Sequence, residues 1–224
     1  MESGFYRPEL DAALSPRPVT GGGTLATTDW RQQLPMLTSS GVILRELELG
    51  DAPSLLAMLT TEEVTRFISP PPTTIEGFER FIRWTHQQRA AGRCMVFGVV
   101  PKGMSTAIGL FQVKALDPGF STAEWGFALG SPFWGTGLFV EGARLVLDFA
   151  FEALRVHRLE ARAVVQNGRG NGALRKLGAV REGMLRGSFL RNGEYHDQAL
   201  WSILQTDWRR AKTGSRPEMG VTIH

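Results

Sequence analysis

The segment Trp134-Gly135-Thr136-Gly137 carries the residue types best suited to bind an anion. It lies between an aromatic and apolar run that stops at Gly130 and a helical pattern in which polar residues recur three or four positions apart. Two glycines let a backbone turn tightly, and the start of a helix offers unpaired N–H groups and the positive end of the helix dipole. Both features favour phosphate, so the sequence predicts an anion site, with pyrophosphate as the expected ligand.

The common nucleotide-binding motifs are absent from this segment. The dinucleotide fingerprint requires a third glycine three residues after Gly137, where Val140 is found, and the triphosphate-binding loop requires Gly-Lys-Ser/Thr. A Gly-x-Gly pair by itself is also typical of a plain turn. The segment therefore indicates an anion site only together with the residues around it.

Glu124 is the residue whose type and position best suit proton transfer. The run from Glu124 to Leu129 is otherwise apolar or glycine, and burial in such a strand would raise the pKa of the carboxyl. A carboxylate with a raised pKa can act as a general base. Glu124 could instead face solvent or bind a neighbouring strand, and the sequence leaves both interpretations open.

The residues on both sides of the glycines resemble a known family. Ala123-Glu124-Trp125-Gly126-Phe127 followed by Trp134-Gly135-x-Gly137-x-x-x-Glu141 resembles the acetyl-CoA-binding motif of the GCN5-related N-acetyltransferase (GNAT) superfamily. It is most similar to the ribosomal-protein N-terminal acetyltransferase (RimJ/RimL-like) branch. A second family motif, Asn167 followed by Lys176-Leu177-Gly178-Ala179, is found at the expected spacing. The resemblance covers roughly Gly41 to Leu204.

The resemblance implies a fold, a cofactor and a reaction. The fold is α/β, with a mixed, mostly antiparallel sheet, a central parallel strand pair and helices on both faces. The cofactor is acetyl-CoA, and the reaction is direct transfer of its acetyl group to a primary amine. The amine could be the α-amine of a protein N-terminus or belong to an amino acid, a polyamine or an aminoglycoside, and the protein could be a monomer or a homodimer.

The resemblance also implies which residues would bind acetyl-CoA. Main-chain groups of one strand would meet the thioester oxygen and the pantetheine amides, N–H groups of the glycine segment would hold the pyrophosphate, and Asn167 would hydrogen-bond the pantetheine arm. The strand groups could instead be paired in the sheet, and Asn167 could cap a helix that starts at Gly168. The cofactor-binding residues expected on this basis are Phe127, Ala128, Leu129, Trp134, Gly135, Thr136, Gly137, Leu138, Phe139 and Asn167.

Four residues are expected near the acceptor. In the family a helical region overhangs the acceptor site, which here makes Phe78 and Trp84 candidates, although an apolar stripe is more often core. The final hairpin of relatives reaches the same site, which makes Tyr195 and Asp197 candidates. His196 and Asp197 alternate faces of a strand, so at most one of them would point inward.

Two departures from the family pattern concern the general acid. Gly170 stands where the nearest branch carries a serine, and Leu174 stands where another branch carries a tyrosine. A typical thiol has a pKa near 8.5, so a thiolate can leave without an acid. A non-catalytic acyl-CoA-binding or regulatory module remains the alternative.

Length and composition indicate one domain with extensions. The chain has 224 residues, 42% of them hydrophobic, which fits a loose arm at 1–40, a transferase domain at 41–206 and a tail at 207–224. Cys94 is the only cysteine, so no disulfide is expected, and no metal site is proposed. No signal peptide or membrane span is predicted, and the expected location is the cytoplasm.

The basic residues near the C-terminus offer a second partner class. A net charge of +3 is too small to indicate nucleic acid. A solvated tail is the preferred interpretation, and nucleic-acid binding is the weaker one. The cluster consists of Arg209, Arg210, Lys212 and Arg216.

Local patterns predict the elements that position these residues. Strands are expected from Val42, at 94–100 and 106–115, at 124–129 and at 158–165, and a helix with an acidic cap is expected from Asp51. A second helix follows Ile75, and a third begins near Glu141 and links two parallel strands. Asn192-Gly193 predicts a hairpin between 187–191 and 195–204.

Overall fold

A computed structural model of the protein describes residues 29–213. Most of the predicted N-terminal arm and residues 214–224, including Arg216, lie outside the described residues. The strands found between residues 29 and 213 are β1 Leu37–Thr38, β2 Val42–Glu46, β3 Cys94–Pro101, β4 Gly109–Ala115, β5 Thr122–Leu129, β6 Arg158–Val164, β7 Val180–Arg191 and β8 Glu194–Leu204.

Helices connect or flank these strands. A π-helical turn at Phe149–Ala153 continues the fourth helix. None of the helices in the described part of the chain is both long and apolar enough to cross a membrane. The helices are α1 Ala52–Leu59, α2 Glu62–Thr65, α3 Ile75–Ala90, α4 Leu138–Asp148, α5 Gly168–Lys176 and α6 Gln205–Thr213.

The strands form one mixed sheet in the order β1-β2-β3-β4-β5-β6-β8-β7. Neighbouring strands are antiparallel except β5 and β6, which are parallel and joined by α4. An apolar helical pattern between two strand patterns predicts a crossover helix that joins two parallel strands, and α4 is such a helix. The predicted fold class, including its central parallel pair, is confirmed.

Helices cover both faces of the sheet. On one face α1 and α3 pack on β3 and β4 through a cluster that contains Leu55, Phe78 and Val96. On the opposite face α4 packs through a second cluster that contains Phe111 and Val146. We call these the α3 face and the α4 face. Successive strand residues alternate between them, so the position of any strand side chain follows from the register.

The Asn192-Gly193 hairpin is confirmed, but its first strand is longer than predicted. Asn192 and Gly193 have φ values of 51° and 82°, as a two-residue turn with both residues left-handed requires. β7 begins at Val180, before the predicted start at residue 187, and its register with β8 shifts twice. Each shift interrupts the alternation by which a strand is recognised in a sequence.

Asp51 has a different role from the predicted helix cap. Its side chain makes no capping bond to α1 and is buried. The carboxylate accepts two hydrogen bonds from Arg45, at 2.8 and 2.9 Å, and one each from the N–H groups of Glu48 and Ala107, both at 2.8 Å. Burial alone would raise the pKa of Asp51, but these donors hold it below its usual value.

Asp51→Ala should lower the free energy of unfolding by about 3–5 kcal/mol, because it leaves Arg45 partly buried without its partner. Urea unfolding measures the loss. Because the pKa is lowered, this stabilisation is present above the ordinary carboxyl pKa and disappears as the pH falls through the lowered value. Glu48→Ala is the control, since Glu48 is exposed and lies 3.8 Å from Arg45. Equal losses in the two variants would contradict this role.

The segment assigned to the C-terminal tail begins as part of a helix. Trp208 of α6 is buried, and its indole N–H donates to Asp148 at 2.7 Å. The cations interpreted as solvated are paired with carboxylates. The pairs are Arg209 with Glu152 at 3.0 Å, Lys212 with Asp148 at 2.5 Å and Arg210 with Asp207 at 3.5 Å.

Candidate active site

A cleft opens between the two parallel strands. β5 and β6 are paired only from Thr122 to Glu124, opposite Arg158 to Glu160. Beyond that point β5 stays paired with β4 up to Leu129, and β6 stays paired with β8 up to Val164. The strands therefore separate, and between residues 29 and 213 no strand pairs with the backbone groups that face inward. We call the space between 125–129 and 161–164 the β5–β6 cleft.

The glycine segment, residues 134–137, lies where β5 leads into α4. Gly135 and Gly137 have φ values of 78° and 91°, which favour glycine, and a Cβ built on either would meet no atom within 4 Å. Gly137 directly precedes α4, whose first N–H groups have no partner in the helix. The space above the segment is open and faces a helix N-terminus, so the segment can accept a pyrophosphate.

Neighbouring side chains hold the glycine segment in place. The indole N–H of Trp134 donates to the carbonyl of Leu129 at 2.8 Å, and the hydroxyl of Thr136 donates to the carbonyl of Phe133 at 2.8 Å. The ring of Phe139 packs on that of Phe127, with 4.6 Å between centroids. These contacts join the segment to the end of β5. The Leu129 carbonyl is therefore occupied by Trp134.

The start of α5 forms the other side of the cleft mouth. Asn167 caps this helix, since its Oδ1 accepts from the N–H of Gly170 at 2.8 Å. Asn167 therefore makes the helix cap that was its alternative interpretation. A Cβ added to Gly170 would lie 2.6 Å from the amide nitrogen of Asn167. Arg169, which no sequence pattern indicated, has its Cζ 4.3 Å from the centre of the Trp134 ring. An exposed cation beside the glycine segment adds to its attraction for phosphate.

Arg169→Gln should raise the KM for acetyl-CoA about tenfold, the effect of losing one charge-assisted hydrogen bond. Initial rates at saturating amine measure it. Arg175→Gln is a matched control on the same helix, where Arg175 lies 5.9 Å from the ring of Trp201. A similar rise in both variants would show that the helix, and not the cation at the cleft mouth, determines affinity.

Glu124 lies on the α3 face at the point where the strands separate. Its neighbours across the sheet are Lys114 on β4 and Glu160 on β6. Its side chain is 19% exposed, and Arg162 Nε lies 3.8 Å from its carboxylate. Burial raises the pKa of Glu124, although the charges of Arg162 and Lys114 oppose the rise. A carboxylate with this pKa at the end of a cleft can take a proton from an amine.

Two further polar groups near Glu124 were missed by the sequence analysis. Gln112 is 8% exposed, and its Oε1 is buried without a hydrogen-bond partner among the described residues. Arg162 Nε is likewise buried without a hydrogen bond in that part of the chain. In the sequence, Gln112 stands out only as the one polar residue in the otherwise apolar run Leu110–Val113. Arg162 is brought to Glu124 by strand pairing alone.

The structure separates the four predicted acceptor residues. Phe78 is buried on the α3 face and lines an apolar pocket. Trp84 lies further along α3 and does not line this pocket. Its ring packs against that of Phe81, with 5.9 Å between the ring centroids. Tyr195 is 71% exposed. The N–H of Gly187 donates to Asp197 at 2.7 Å, in the irregular part of β7.

Tyr195 and Asp197 are not brought to Glu124. Gln198 on β8 pairs with Val164 on β6. Val164 is two residues after Arg162, so both side chains lie on the α3 face. Asp197 and Tyr195 alternate with Gln198, so the register places them on the α4 face. This placement is not encoded in the local sequence, because the face on which each β8 side chain lies depends on how β8 pairs with β6.

A mixed sheet with one central parallel strand pair, and a glycine segment before the helix that joins the two strands, is the arrangement that the resemblance implies for an N-acetyltransferase. The family model described as an acetyltransferase (GNAT) domain matches residues 42–180. This match spans more than half of the chain, which therefore belongs to the GNAT acetyltransferase family.

Relatives and solved structures agree with this assignment. The uncharacterized N-acetyltransferase p20 of Bacillus licheniformis is 27% identical over 173 residues, which are 77% of this chain and 97% of the relative. The [ribosomal protein uS5]-alanine N-acetyltransferase of Escherichia coli K12 is 23% identical over 133 residues, 59% and 69% of the two chains. The crystal structure of a ribosomal-protein-S5-alanine acetyltransferase from Vibrio fischeri has the same fold, with a TM-score of 0.70, 21% identity and coverage of 78% and 98%.

The predicted family, enzyme class and cofactor are thereby confirmed. The protein is an acetyl-CoA-dependent acyltransferase of the GNAT family. Membership does not assign individual residues, whose roles stay predictions.

Proposed function

We propose that the protein acetylates the α-amine of a protein N-terminus by direct transfer from acetyl-CoA, with Glu124 as the general base. The observation that carries this proposal is the position of Glu124, a carboxylate of raised pKa where β5 and β6 separate. The Escherichia coli relative is an alanine N-acetyltransferase of ribosomal protein uS5, which supports a protein acceptor.

The surface beside Glu124 supports an extended acceptor. Charged side chains continue from the cleft across the α3 face of β6 toward β7, and each is partly exposed. Arg158 lies beside Glu182 on β7, and Arg162 lies nearer to Glu124. A polypeptide has polar groups along its whole length, whereas a small amine would leave most of this surface unused.

The residues present can perform each step of the transfer. Acetyl-CoA supplies an acetyl group activated as a thioester. N–H groups on the inner edge of β5 can donate to the carbonyl oxygen as it gains negative charge. Glu124 takes the amine proton, directly or through water, as the carbon–nitrogen bond forms and the carbon–sulfur bond breaks. The thiolate leaves without an acid, which agrees with Gly170 and Leu174.

Acetyl transfer can be tested with the full chain, acetyl-CoA and a set of amines. The set contains peptides with ribosomal-protein N-termini, glycinamide and spermidine. Free thiol and acetylated product are measured, the latter by mass spectrometry, and we expect the peptides to have the highest kcat/KM. A higher kcat/KM for spermidine would contradict the protein acceptor, and thiol release without any acetylated amine would contradict the transfer itself.

A further inference from the structure

A primary amine of the protein itself lies beside Glu124. Lys114 on β4 and Glu124 on β5 are opposite each other in the strand register, and both side chains lie on the α3 face. Residues opposite each other on antiparallel strands have Cβ atoms about 4.5–5.5 Å apart. The side chain of Lys114 is exposed, and its positive charge opposes the rise in the pKa of Glu124. The general base proposed for the transfer therefore has an amine of the same chain as its neighbour.

The side chain of Lys114 is also long enough to reach the β5–β6 cleft. Residues diagonal to each other on neighbouring strands are about 7–8 Å apart, a distance that long side chains span. The diagonal neighbour of Lys114 beyond Glu124 is Gly126, which borders the cleft. Gly126 has no side chain above the sheet. Lys114 can therefore extend across Gly126 toward an acetyl group in the cleft.

The other lysines of the chain are exposed as well, but they lie elsewhere. Lys102 follows the end of β3 that is seven residues from the partner of Lys114, about 23 Å along the strand. Lys176 and Lys212 belong to α5 and α6, which pack on the α4 face. The chain has four lysines, so position and not exposure distinguishes Lys114 from the other three.

We propose that Lys114 is a self-acetylation site, to which the protein transfers the acetyl group of bound acetyl-CoA when no other amine occupies the cleft. The inference rests on the proposed function, since it uses the same cofactor and the same base. The neutral amine nitrogen of Lys114 bonds to the thioester carbon, and Glu124 takes the proton that this nitrogen loses. The carbon–sulfur bond breaks, and the thiolate of coenzyme A leaves. The product is an amide, so Lys114 loses its positive charge.

Acetylation of Lys114 should slow transfer to other amines at low pH. The positive charges that act on Glu124 are those of Lys114 on β4 and Arg162 on β6, and the negative charge of Glu160 on β6 opposes them. Without the charge of Lys114, the pKa of Glu124 rises further. A smaller fraction of Glu124 is then ionised below this pKa and able to take a proton. The modification thus limits the enzyme when acetyl-CoA is present and acceptor is scarce.

Self-acetylation can be tested by incubating the full chain with acetyl-CoA and no acceptor. Peptide mass spectrometry measures acetylation at each lysine over time. We expect Lys114 to react about tenfold faster or more than the other three lysines, because only Lys114 is held beside the base and the cleft. Similar rates at all four would indicate chemical acetylation and overturn the inference alone. No acetylation here or of any amine above would overturn the proposed function as well.

Glu124→Gln tests whether Glu124 takes the proton of Lys114. Acetylation of Lys114 should slow about 10²-fold or more, and the rates at the other lysines should not change. In the wild type the rate at Lys114 should be independent of protein concentration, since the amine and the base belong to one molecule. A rate proportional to protein concentration would show that one copy acetylates another, and would overturn transfer within one chain.

Lys114→Gln tests the effect of the modification on the enzyme. Glutamine is uncharged like acetyl-lysine, so the fall of kcat/KM for the amine at low pH should begin at a higher pH than in the wild type. Lys114→Arg keeps the charge and should keep the wild-type pH profile, although it cannot be acetylated in the same way. Lys102→Gln is the matched control at an exposed lysine far from Glu124. Equal pH profiles for Lys114→Gln and Lys114→Arg would overturn the regulatory effect.

Discussion

Glu124→Gln should lower kcat about 10²- to 10⁴-fold, the usual contribution of a general base, and leave the Kd for acetyl-CoA unchanged. Glutamine has the same shape but cannot take a proton from the amine. The cofactor contacts proposed for the cleft and the glycine segment do not involve this side chain. Stopped-flow single turnovers for kcat and calorimetry for Kd measure the two quantities separately.

The stability of the same variant distinguishes catalysis from structure. In the unfolded chain Glu124 ionises at its ordinary pKa, whereas in the folded chain burial raises the pKa. Ionisation of Glu124 therefore disfavours the folded state as the pH rises from the ordinary pKa of the unfolded chain to the raised pKa of the folded chain. Glu124→Gln removes that cost and should unfold at the same or a higher urea concentration at neutral pH. A large loss of stability would indicate that Glu124 holds the strands together.

Glu124→Gln should also change the pH dependence of kcat/KM for the amine. In the wild type, kcat/KM for the amine should fall as the pH is lowered through the raised pKa of Glu124, and Glu124→Gln should lack this limb. Glu160→Gln is the matched control on the facing strand. The charge of Glu160 contributes to the raised pKa of Glu124, so its removal should move the limb to lower pH without a large change in kcat. An unchanged limb in Glu124→Gln would assign the base to another group.

Local sequence patterns were sufficient for the main elements of the fold. The crossover helix between β5 and β6, the Asn192-Gly193 turn and the helix over 75–90 follow from periodicity and turn residues within one segment. The glycine segment could also be placed before α4, since residue type and the following helical pattern are both local. The elements that bound the cleft were therefore predictable.

Contacts between distant segments were not predictable from the same patterns. Glu160 and Arg162 lie beside Glu124 only because β6 pairs in one register, and a shift of one residue would place both on the other face. Asp51 has the sequence of a helix cap, but the partly buried Arg45 competes for its carboxylate. Trp208 stands in a basic segment that the charges alone suggested was solvated. In each case packing between segments overrides the local preference.

Gly137→Val should weaken acetyl-CoA binding about 10- to 100-fold. Gly137 has a φ of 91°, and a β-branched residue in this region costs roughly 1–3 kcal/mol. A Cβ added to Gly137 would meet no atom within 4 Å. We therefore expect the effect to come from the backbone, which relieves the strain by turning the N–H groups of the segment away from the phosphate position. Calorimetric titration with acetyl-CoA measures the change in Kd.

Gly178→Val supplies the same strain at a different place. Gly178 has a φ of 83°, and a Cβ there also meets no atom within 4 Å. It lies beyond the C-terminal end of α5, about 13 Å along the helix from the start that borders the cleft. Both variants should therefore lose similar stability in urea, and only Gly137→Val should lose affinity for acetyl-CoA. If both lost affinity equally, the loss would reflect general destabilisation, and the glycine segment would not be the pyrophosphate site.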